Sequence, residues 1–77
     1  MKPQRLYWLA ELVEVNAANW TERKSLLRAV TRDVKAAKDA VTDEELAAVL
    51  SWLHAGSRIE YKPGRGNRDM IRAAPTT

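Results

Sequence analysis

With 77 residues, no cysteine and 45% hydrophobic side chains, the chain has room for one small core and no disulfide or thiolate-bound zinc to staple it. Net charge is only +3, so the distribution of charge says more about partners than its sum. No stretch is apolar for long enough to span a bilayer, and the N-terminal segment lacks the continuous apolar run of a signal peptide. The expectation is therefore a single cytoplasmic domain over residues 1–77 with no membrane contact.

The first predicted element is a helix over residues 3–16, with Pro3 suited to a first turn. Trp8, Leu12 and Val15 form one line on it, and Leu6, Leu9 and Val13 form a second beside it. Together they cover about half the circumference, wider than the ~100° stripe of an ordinary surface helix. Such a helix is either sandwiched between other elements or left with a face for a partner, including a second copy of the chain.

A second helix is expected over residues 20–41, capped by Asn19 or Thr21. Its core stripe would be Leu26, Leu27, Val30, Val34, Ala37 and Val41. Lys24, Arg28, Lys35 and Lys38 make a separate basic line. Two readings of that line stand: a phosphate-binding face, or a solvated face whose cations pair with Asp33 and Asp39.

The third helix, residues 42–55, carries the clearest local signal. Thr42 and Glu45 have the spacing of a capping box, and Val41 and Leu46 that of a hydrophobic staple. Asp43 and Glu44 place negative charge in the first turn, where the helix dipole favours it. Leu46, Val49, Leu50 and Leu53 continue the apolar stripe, and Gly56 is expected as a left-handed stop.

Residues 58–73 then read as a hairpin. Arg58-Ile59-Glu60-Tyr61-Lys62 alternates charged and apolar side chains, and Pro63-Gly64-Arg65-Gly66-Asn67 has turn composition. A return strand would run from about Arg68 to Ala73; the competing reading is a short final helix capped by Asn67. Ile59, Tyr61, Met70 and Ile71 would face the helices, while Arg58, Lys62, Arg65, Arg68 and Arg72 decorate the ribbon. Residues 74–77 are expected to be a disordered tail.

The fold class is therefore mainly α with a small β-hairpin, α+β, a three-helix core followed by a C-terminal ribbon. In element order this resembles a winged-helix domain, a likeness of fold that leaves function open. The third helix, which would enter a DNA groove in such a domain, opens on three carboxylates, and its outer positions, Ala47, Ala48, Ser51 and Ala55, offer almost no base-edge donors. Contact with nucleic acid would fall instead to the hairpin and the second helix, on the backbone or in the minor groove.

No constellation for catalysis is evident. His54 is the single histidine and lies in the last turn of a helix, where it meets terminal carbonyls. Gly64-Arg65-Gly66 lacks the Gly-Lys-Ser/Thr signature of a phosphate loop. The expectation is a non-enzymatic binding protein with no cofactor and no metal. Its candidate contact residues for DNA, RNA or a protein partner are Lys24, Arg28, Lys35, Lys38, Arg58, Lys62, Arg65, Arg68 and Arg72. Trp20 and Trp52 are candidate interface aromatics. The alternative function is a protein-binding module, an inhibitor or adaptor of a larger complex or a homodimer, using the broad face of the first helix, these tryptophans and the hairpin arginines.

Overall fold

A computed structural model describes residues 2–65 and 68–74. Three helices, α1 (Pro3–Asn16), α2 (Arg23–Ala36) and α3 (Asp43–Ala55), carry a small antiparallel sheet of β1 (Thr21–Glu22), β2 (Ile59–Lys62) and β3 (Met70–Ala73). β3 lies in the middle, so the strand order is β1-β3-β2. The α+β class and the C-terminal hairpin agree with the sequence pattern, and the return segment is a strand rather than a helix. Asn67, the alternative cap, and residues 75–77 of the expected tail lie outside the described residues.

The core forms where the three helices meet the inner face of the sheet. Leu9, Ala10 and Val13 of α1 are buried against Leu26, Val30 and Val34 of α2 and Leu46, Val49, Leu50 and Leu53 of α3, with Ile59 and Ile71 closing the sheet side. α1 packs against α2, α3 and β3, which accounts for most of its wide apolar face. Leu6, Trp8 and Leu12 sit half-buried at the edge of this core, whereas Val15 is 75% exposed.

The second helix is shorter than its apolar periodicity suggests. At its start, Thr21 and Glu22 pair with Ile71 and Met70 of β3, so the chain is extended before the first helical residue. The cap position falls to Glu22, which makes no side-chain capping bond, and the Thr21 hydroxyl donates to the Asn19 carbonyl instead. At the other end, Lys38 takes a φ of 59°, Lys38 N–H donates to Lys35 O and Asp39 N–H to Val34 O. These two bonds form a Schellman stop. Ala37 is consequently exposed, and Val41, now beyond the helix, packs on the core from the loop.

α3 ends in the same way, with Ser57 N–H on His54 O and Arg58 N–H on Leu53 O. Ser57 holds the left-handed conformation, at φ 57°, and Gly56 has φ −87° one position earlier. The expected stop is present, but displaced by one residue onto a side chain that tolerates it less well. The capping box at the start is complete: Glu45 N–H donates to Thr42 Oγ1 at 3.1 Å, and Thr42 N–H donates to Glu45 Oε1 at 3.2 Å.

Candidate functional site

The β2–β3 hairpin is a wing attached to the helices at its base. Ile59 and Ile71 are buried, Tyr61 lies over α3 beside His54, and Glu60 stands directly opposite Arg72. Tyr61 faces α3, as the strand alternation predicts, but it sits past the rim of the core and is 42% exposed. Its hydroxyl donates to Asp69 Oδ2 at 2.5 Å, and Asp69 Oδ1 accepts Gly64 N–H at 3.0 Å. The Asp69 carbonyl accepts Arg23 N–H at 2.9 Å, which joins the wing to the start of α2. Hydrogen bonding from Tyr61, then from the Gly64 amide, lowers the Asp69 carboxyl below its ordinary value, and the same contact raises the Tyr61 phenol.

The wing's turn is closed tightly. A Cβ placed on Gly64 would come within 2.4 Å of the Arg68 carbonyl oxygen, so only glycine permits this approach. The Arg68 N–H donates across the turn to Arg65 O at 3.2 Å.

The nine candidate cations divide into two sets. Arg58 and Arg72 are held by the body of the protein. Arg58 lies 2.6 Å from Glu14 and over the Trp52 ring at 5.4 Å, while Arg72 pairs with Glu60 at 2.7 Å and covers the Trp20 ring at 4.8 Å. Cross-strand register brings Arg72 to Glu60, and such pairing removes much of the charge an incoming phosphate would meet. Lys62, Arg65 and Arg68 on the wing are exposed, with no carboxylate within ion-pair distance among the described residues. Lys24, Arg28 and Lys35 are likewise exposed and unpaired on α2, and Lys38 is exposed just past its end.

The carboxylates expected to neutralise that helix face are engaged elsewhere. Asp33 accepts from Asn16 Nδ2 at 2.9 Å and lies 3.6 Å from Arg32. Asp39 belongs to Arg5, a residue with no place in the sequence reading. Arg5 reaches Asp39 Oδ2 at 2.6 Å, Glu45 Oε2 at 2.6 Å and the Ala40 carbonyl at 2.5 Å. The Asp39 carboxyl is held below its ordinary value by the Ala40 amide and then by Arg5, and that of Glu45 chiefly by Arg5. Glu45 is thus tied up, leaving Asp43 and Glu44 as the exposed acids at the start of α3.

Both candidate tryptophans are partly exposed, Trp20 at 39% and Trp52 at 36%. Trp52 also meets Tyr7 at a ring separation of 5.7 Å, so Tyr7, Trp52 and Arg58 form one surface cluster that the separate sequence positions do not reveal. Among the described residues no group of three metal-ligating side chains occurs, and no helix is long and apolar enough to cross a membrane.

The element order is α1-β1-α2-α3-β2-β3, with β1 added to the hairpin sheet. No protein-family model matches the chain, and comparison with curated proteins and with solved structures finds no match.

Proposed function

We propose that this chain is a small, non-enzymatic nucleic-acid-binding regulator or accessory factor. It contacts the sugar-phosphate backbone through Lys62, Arg65 and Arg68 on the wing and through Lys24, Arg28 and Lys35 on α2, with Lys38 at the margin. The observation that carries this reading is the sorting of the cations: Arg5, Arg23, Arg32, Arg58 and Arg72 have carboxylate neighbours, whereas these seven have none among the described residues. Exposed, unneutralised cations are what a phosphate backbone takes up when it releases its counterions. The Arg23 to Asp69 hydrogen bond brings the wing base to the helix that bears Lys24, so the two groups adjoin.

Titration of labelled DNA and RNA over a range of salt tests it. Affinity should fall steeply as salt rises, and the double variant Arg65→Glu, Arg68→Glu should weaken binding for all sequences alike and flatten the salt slope by about 2. Salt-independent binding, or an unchanged slope in the double variant, would refute the contact.

A second reading rests on the cluster of Tyr7, Trp52 and Arg58, the residue types that dominate protein-protein hot spots. In that case the chain is an inhibitor or adaptor, or a homodimer, and Trp52→Ala removes binding or lowers the solution mass while the wing charges are dispensable.

A further inference from the structure

Where the wing, α3 and the start of α2 meet, the surface holds a cleft of about 230 Å³ lined by Arg23, Ala47, Leu50, Ser51, His54 and Tyr61. Its floor is apolar and low because α3 presents alanine and serine there. The Tyr61 and His54 rings stand on it, centroids 6.0 Å apart and planes tilted by 57°. Tyr61 is not a loose surface ring: its hydroxyl is bound by Asp69, whose other carboxylate oxygen and carbonyl hold Gly64 and Arg23. An exposed aromatic ring fixed in advance loses little freedom when something stacks on it.

One cation, Arg23, lines this cleft, with Asp43 3.9 Å from it. Lys62 and Arg68 adjoin Tyr61 and Asp69 in the chain but lie outside the lining, and strand alternation turns Lys62 to the other face of the ribbon. An aromatic platform beside a cationic side chain can receive single-stranded nucleic acid, since any base offers a π-face. A duplex keeps its bases stacked and would meet the exposed Asp43 and Glu44 at the start of α3 with like charge.

We propose that this cleft takes one unpaired base of a single strand, stacked on Tyr61 and flanked by His54, with an adjoining phosphate on Arg23 and the strand running on past the ribbon edge that carries Lys62 and Arg68. The assignment rests on the nucleic-acid reading above and narrows it to single-stranded DNA or RNA.

The test is fluorescence anisotropy on a mixed-sequence strand of about 12 nucleotides, within the span of known single-strand sites, and on the duplex of the same sequence. The wild-type chain should bind the single strand more tightly than the duplex. Tyr61→Leu should weaken single-strand binding about 5- to 150-fold, the range for loss of one stacking ring, without changing the salt slope or duplex affinity. Tyr61→Phe keeps the ring and should retain most of the affinity. His54→Ala, which removes the ring beside Tyr61, should give a smaller loss and serves as the deciding variant should Tyr61→Leu fail to fold. Equal or tighter duplex binding, or wild-type single-strand affinity in a folded Tyr61→Leu or in His54→Ala, would overturn the stacking site and leave the backbone contact standing. No binding to either form at low salt would overturn both.

Discussion

Arg5 closes the N-terminal end of the molecule by joining α1 to the α2–α3 loop and to the first turn of α3, and it does so with three acceptors on one guanidinium. Its side chain is 26% exposed, so water screens the pairs only in part, and Arg5→Met should cost about 1–2 kcal/mol in urea unfolding. The sign of the pH dependence follows from its partners. Asp39 and Glu45 have carboxyls lowered from ordinary values of 3.8 and 4.5, so their stabilisation is complete above those values and is lost as pH falls through the lowered ones. The wild-type urea midpoint should therefore drop below about pH 4.5, and the drop should be shallower in Arg5→Met. Ser57 gives a prediction of opposite direction. At φ 57° it sits where a side chain costs about 1 kcal/mol relative to glycine, so Ser57→Gly should raise Tm by roughly 4–8 °C for a domain of this size. No change on scanning calorimetry would show that the cost is relieved elsewhere.

Among the elements, the start of α3 was the most legible in the sequence, because every partner in the Thr42–Glu45 box lies within three residues. Removing the hydroxyl with Thr42→Ala should cost about 1 kcal/mol, readable as a lower urea midpoint. β1 was not legible: a two-residue strand has no periodicity, and it exists only because β3 pairs with it. That pairing shortens α2 at its front, just as Lys38 shortens it at its back, and neither effect is visible in the apolar stripe alone. The wing's alternation was legible, but the fate of its arginines was not. Whether Arg58 and Arg72 are free depends on Glu14 and on the Glu60 to Arg72 register, which are properties of the assembled fold. Gly64 tests the wing as a unit. Since a methyl group there would meet the Arg68 carbonyl, Gly64→Ala should weaken nucleic-acid binding while thermal unfolding of the helical core, to which the described residues of the turn contribute no buried side chain, changes little.

On the scale of the whole molecule, the charges are arranged by structure into a neutralised body and an unneutralised rim. The ion pairs of Arg5, Arg58 and Arg72 tie elements together, while the wing and the outer face of α2 keep their cations exposed. A net charge of +3 understates this separation, which is why composition alone left nucleic acid and protein as rival partners. The aromatic cluster of Tyr7 and Trp52 is built from α1 and α3, and its cation is Arg58 rather than Lys62, Arg65 or Arg68. The two surfaces can therefore be told apart by where a ligand perturbs the chain. The most direct measurement is a nitrogen-proton correlation titration of the isotopically labelled protein with an oligonucleotide at low salt. Backbone contact through the wing predicts shifts concentrated at Tyr61, Lys62, Gly64, Arg65, Arg68 and Asp69 and along Arg23 to Arg28. Shifts centred on Tyr7, Trp52 and Arg58 with a silent wing, or no shifts at all, would contradict it.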